Sequence, residues 1–182
     1  PKLRRFVDAA WRKPYAGFII MSALQNSLIE LIRRTSAEIP DDVHQAILTS
    51  LASERENSLS ANALKIVDQN IALARNKSQP ICQDTGSILF YVDCPVGFDQ
   101  ITFAETARAA VTLATKKGYL RQNSVDSLTG KNDGTNVGPG APAFHFHQHR
   151  SPEVSVRLAL KGGGCENVGA QYSLPIEKLH AN

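Results

Sequence analysis

The apolar periodicity first changes near Gly86, and that change limits the fold more than any other feature. From residue 22 to about 76, apolar residues recur three and four apart, as on one face of a helix. Leu24, Leu28, Leu31 and Ile32 mark a first helix; Val43, Ile47, Leu48 and Leu51 mark a second, started by Pro40-Asp41-Asp42. Ser60 is expected to cap a third, which carries Leu64, Val67, Ile71 and Leu73 and stops at Lys77-Ser78-Gln79-Pro80. After Gly86 the pattern is that of strands. Residues 87–92 form a short branched and aromatic run closed by Pro95-Val96-Gly97, and strands resume at 144–149 and 154–160. Between them, Thr102 is expected to cap a helix from 103 to about 117 whose Ala107, Ala110, Val111 and Ala114 imply close packing. The predicted class is α+β: N-terminal helices, then a mixed sheet with a helix and Gly-rich loops.

Chain length and composition suit one globular domain: 182 residues, 42% hydrophobic and 20% charged. Twenty Lys and Arg against 17 acids give a net charge of +3, scattered rather than clustered, which argues against a nucleic-acid surface. No apolar stretch approaches the roughly 20 residues that span a bilayer, so no membrane partner is expected. Residues 1–20 combine Arg4, Arg5, Arg12 and Lys13 with Asp8 and Pro14 and fit neither a signal nor a transit peptide. They read as an N-terminal extension before a domain at 21–182, and the single Met21 suggests a start there or upstream of Pro1. Three cysteines, an odd number, predict reduced thiols and a cytoplasmic chain.

Several stretches carry chemistry. Pro80-Ile81-Cys82-Gln83-Asp84-Thr85-Gly86 sets a thiol, an amide and a carboxylate in a helix-to-strand turn, where Cys82 is either a metal ligand or buried packing, and Asp84 either a proton carrier or a turn cap. Arg121, in Leu120-Arg121-Gln122-Asn123, follows a helix end and either grips a carboxylate or is a solvated charge. Residues 118–142 are dense in Gly, Asn, Asp, Ser and Pro, and ordered loops of that length are usually functional. Lys161-Gly162-Gly163-Gly164-Cys165 exposes bare backbone to a ligand or makes a tight turn; without Gly-Lys-Ser/Thr or GxGxxG it is no nucleotide loop. His145, His147 and His149 alternate on one strand face, a zinc site or simply the polar side of a half-buried strand. Cys94 has no neighbouring ligand and reads as packing.

Taken in order, PICQDTG, LRQNSV, NDGTN and KGGGCEN resemble the class I, iron-sulfur-dependent fumarate hydratase and L(+)-tartrate dehydratase alpha subunit family, across about residues 60–176. The resemblance implies a [4Fe-4S] cluster on three cysteines, with one iron open as a Lewis acid. By that matching Cys82 is the first cluster ligand and the other two lie downstream of Asn182; Cys165 falls beside the site, where many relatives have Ser. Gln83, Asp84, Arg121 and the backbone at Gly164 then contact a small dicarboxylic acid, with Asp84 and Arg121 in the catalytic roles. The implied activity is addition or removal of water on a C4 dicarboxylate such as fumarate, malate or tartrate. The resemblance further implies an incomplete N-terminal catalytic domain, inactive in isolation, that needs a C-terminal domain or beta subunit and assembles as a dimer. The rival readings are a zinc-dependent hydrolase and a non-catalytic interaction module.

Overall fold

The computed structural model describes residues 14–82, 86–126 and 128–162. Three helices come first: α1 (Pro14–Ala37), α2 (Asp41–Ser53) and α3 (Leu59–Lys77). Strand β1 (Ser87–Pro95), helix α4 (Gln100–Lys116) and strands β2 (Ala143–His149) and β3 (Ser155–Lys161) follow, giving the expected α+β order. The strands form one mixed sheet in the order β2-β1-β3. Central β1 runs parallel to β2 and antiparallel to β3, with Leu89 opposite Ala143 and Ser87 opposite Lys161. A parallel neighbour requires a crossover, and α4 with the long 118–142 loop supplies it.

Strict alternation in β1 turns Ile88, Phe90, Val92 and Cys94 into the core and leaves Tyr91 and Asp93 on the other face. Phe90 is fully buried, and α1 and α4 cover that side through Leu28, Ile32, Phe103, Ala107, Ala110, Val111 and Ala114. The alanines of α4 let its backbone approach closely, while Phe103 meets Phe144 and Phe146 edge to face at 6.3 and 6.0 Å. Cys94 is fully buried, and desolvation pushes its thiol pKa up, as inert packing requires.

The second helical pair is covered less. Helix α2 has no buried residue, and its Val43 lines an apolar groove with Ile47, Val67, Ile71 and Ile81. The expected apolar face therefore forms but is only half covered.

Two caps differ from expectation. Ser58, not Ser60, opens α3, its hydroxyl accepting the Ala61 N–H at 3.1 Å. Asp99, not Thr102, opens α4: its carboxylate accepts the Thr102 N–H at 2.9 Å and hydroxyl at 2.7 Å. A carboxylate three residues upstream outcompetes a hydroxyl for the unpaired first-turn amides because the helix N-terminus favours negative charge. Those same two bonds, the Thr102 amide first, hold Asp99 below the usual carboxylate range. Among the described residues no helix is long and apolar enough to cross a membrane.

Candidate active site

Pairing of β1 with β3 decides which loops meet. Because Ser87 stands opposite Lys161, the end of the Cys82–Gly86 turn and the start of the glycine-rich turn share one end of the sheet. Gly86 has φ 53°, and a Cβ there would overlap the Lys161 carbonyl and Gly162. Only glycine allows this contact, in both conformation and space.

On the other side of β1 lies a cleft of about 500 Å³. Gly86, Ser87 and Leu89 line one wall; Asn123, Ser124 and Val125 line another, closed by Gly140 and Ala141. The parts of PICQDTG, LRQNSV and KGGGCEN that are described thus converge on one end of the sheet.

Each segment is fixed by a side-chain amide. Ile81 donates its N–H to the Ser36 carbonyl at 2.9 Å and accepts from Asn70 Nδ2 at 2.9 Å, which sets the exit of α3. Arg33 reinforces this corner: it pairs with Glu30 and Glu38 and donates to Ser78, the left-handed C-cap of α3. Cys82, next along, is exposed.

The other segment is held by NDGTN. Asn136 Oδ1 accepts the N–H groups of Asn123 and Ser124 at 3.0 and 3.1 Å, and its Nδ2 donates to the Arg121 carbonyl at 2.6 Å. Asn132 Nδ2 donates to the Gln122 carbonyl at 2.7 Å. Asp133 accepts from the Thr135 hydroxyl and amide, which keeps its carboxyl below the usual range. Arg121 is exposed, and no carboxylate among the described residues pairs with its side chain. An exposed guanidinium on a braced backbone is suited to a carboxylate from solution.

Of the predicted site residues, Cys82 and Arg121 are described; Gln83, Asp84, Gly164 and Cys165 lie outside the described residues. Reading the sequence missed Asn123 and Ser124 as cleft walls and Asn136 as their brace. The turn-forming run Asn132-Asp133-Gly134-Thr135-Asn136 marked the loop but not the role of Asn136, whose partners stand 12 to 21 positions away.

The histidines do project from one sheet face. His145 stacks on Tyr91 at 4.8 Å and His147 lies 3.5 Å from Asp93, which Arg157 also pairs. Among the described residues no group of three or more His, Cys, Asp or Glu is placed to hold a metal. Cys82 offers one soft ligand, so the described donors fit a single corner of an iron-sulfur cluster, not a closed site.

Residues 25–181 match the sequence model of fumarate hydratase (Fumerase). The chain belongs to that family. A Geobacillus stearothermophilus protein provisionally named fumarate hydratase class I is 47% identical over 157 residues, which cover 86% of this chain and 30% of that protein. The L(+)-tartrate dehydratase subunit alpha of Escherichia coli K12 is 31% identical over 148 residues, 77% of this chain and 48% of the subunit. A Methanocaldococcus jannaschii protein provisionally named for the same subunit is 29% identical over 152 residues, covering 81% and 53%. This chain therefore spans about a third to a half of the length of these family relatives.

Proposed function

We propose that the chain is the N-terminal catalytic part, residues 21–182, of a hydro-lyase that adds or removes water on a C4 dicarboxylate, fumarate/malate or tartrate. The observation that carries this reading is the cleft itself. It is lined by the end of PICQDTG at Gly86 and by Asn123, Ser124 and Val125 of LRQNSV, and those two segments carry an exposed cysteine and an arginine whose backbone is braced. Family membership narrows the chemistry to that of its named relatives.

In this reading Cys82 gives one thiolate to a [4Fe-4S] cluster, and the remaining ligands come from further polypeptide of the kind that the longer relatives possess. When bound, the cluster supplies a Lewis acid for the substrate's hydroxyl and carboxylate oxygens. Arg121 takes a substrate carboxylate through paired N–H donors and so fixes its orientation. Gln83 and the backbone at Gly164 hold the rest of the substrate, and Asp84, two residues from Cys82, moves a proton to or from it. Asn123 and Ser124 line the cleft beside it. The E. coli relative is named an alpha subunit; by analogy a C-terminal domain or beta subunit completes this site in a dimeric, cytoplasmic enzyme, and the chain alone is inactive.

Iron content and kinetics test this together. In the intact enzyme, Cys82→Ser should lose iron and turnover at once, since a serine oxygen is a poor ligand in a sulfur cluster. Arg121→Lys should keep its iron and lower kcat/KM by about tenfold, mainly through KM. Full iron in the Cys82 variant would sink the cluster assignment, and wild-type kinetics in the Arg121 variant would sink the carboxylate anchor.

A further inference from the structure

Asn136 is 2% exposed and sits in the left-handed region at φ 56°. An asparagine side chain has two donor hydrogens and two acceptor positions on its oxygen, and here all four are engaged. Its Oδ1 accepts from Asn123 and Ser124; its Nδ2 donates to the Arg121 carbonyl and to Thr115 Oγ1, the last at 3.2 Å. Thr115 is buried in the last turn of α4 and donates onward to the Val111 carbonyl at 2.8 Å. Through Asn136 the 121–124 segment is thereby tied to the rigid core helix as well as to its own loop.

A buried amide that served its own turn alone would bond its neighbours. This one spends three of its four bonds on a segment 12 to 15 positions upstream. The segment begins at Arg121 and includes two cleft-lining residues, Asn123 and Ser124. Arginine has a long side chain with many rotamers, so fixing its Cα is the part of its placement that a scaffold can supply.

We infer that Asn136 is a positioning residue: it sets the place of Arg121 for a dicarboxylate bound in the cleft. This rests on the reading that Arg121 meets a substrate carboxylate. Satisfying all four groups in a buried place makes the arrangement stiff, because any displacement leaves a desolvated donor or acceptor unpaired.

The test is a double-mutant cycle in the intact enzyme. Asn136→Gly removes the side chain while tolerating the left-handed backbone. It should lower kcat/KM for a C4 dicarboxylate by about tenfold, mostly through KM. Combined with Arg121→Ala, it should add no more than about twofold to the loss of Arg121→Ala alone, because both act through one contact. The fall in melting temperature should meanwhile be the same in both backgrounds. Kinetic penalties that multiply would overturn the inference, leaving Asn136 a fold-stabilising residue. So would a kcat/KM for Asn136→Gly near wild type while Arg121→Ala is impaired; the substrate reading would then stand. Unchanged kinetics in Arg121→Ala would remove the substrate reading and this inference with it. Should Asn136→Gly fail to fold, Asn136→Asp decides. It keeps the acceptor for two amides but turns a carboxylate oxygen on the Arg121 carbonyl, so kcat/KM should fall by at least about threefold, and an unchanged value overturns the assignment.

Discussion

Two asparagines hold the two segments that border the cleft, in opposite surroundings. Asn136 is sealed from water and has all four of its hydrogen-bonding positions filled, whereas Asn70 is exposed and makes a single bond to the Ile81 carbonyl. The chemistry of the two side chains is the same. Their energetic weight differs, because water replaces a lost bond at Asn70 and cannot easily do so at Asn136. The amide brace on the arginine side of the cleft is therefore stiff, and the one on the cysteine side is lighter, beside helices whose apolar faces remain partly open.

The largest effect that would break this contrast belongs to Asn136→Ala. Losing a buried network and placing Ala at a left-handed φ should destabilise the fold by about 3 kcal/mol. A urea midpoint near wild type would show that water reaches the site after all. Asn70→Ala should cost only about 0.5 kcal/mol, since its carbonyl partner is rehydrated. A loss as large as that of Asn136→Ala would erase the distinction between the two sides.

The smallest effect concerns pH. Hydrogen bonds from the Thr135 hydroxyl and amide depress the Asp133 carboxyl, and the amide and hydroxyl of Thr129 do so for Asp126. A depressed carboxylate contributes stability above its ordinary pKa, about 3.9, and loses it as pH falls through the lower folded value. Amide-exchange protection at Thr135 and Thr129 should therefore be flat from about pH 5 to 8 and fall in acid below about pH 4. Protection that falls between pH 5 and 8 would contradict those bonds. Asp133→Asn should flatten the acid limb at Thr135 and leave Thr129 unchanged.

Much of the fold could be read locally. The 3.6-residue spacing through α2, α3 and α1 from residue 22 onward, the alternation that aligns His145, His147 and His149, and the small residues of α4 all follow from which faces must avoid water, whereas the start of α1 at Pro14 and the reach of β1 to Pro95 did not show in the spacing. The caps were displaced by two or three residues because Ser, Thr and Asp compete for the same first-turn amides, and spacing alone does not choose among them. Cys82 and Arg121 stood out by residue type, whereas Asn136 did not, since an asparagine in a polar loop is ordinary until its partners are known.

What the sequence by itself determined was the order of elements, the side of each that faces the core, and the motifs that assign the chain to its family. Tertiary structure alone decided that β1 stands between a parallel β2 and an antiparallel β3, which sets Gly86 against Lys161 and Gly162. It also decided that a loop amide from residue 136 reaches back to 121–124. The physical reason is range. Periodicity records each residue's own exposure, while strand pairing and a buried polar network are properties of pairs distant in the chain, selected only when the whole core closes and every desolvated donor must find a partner.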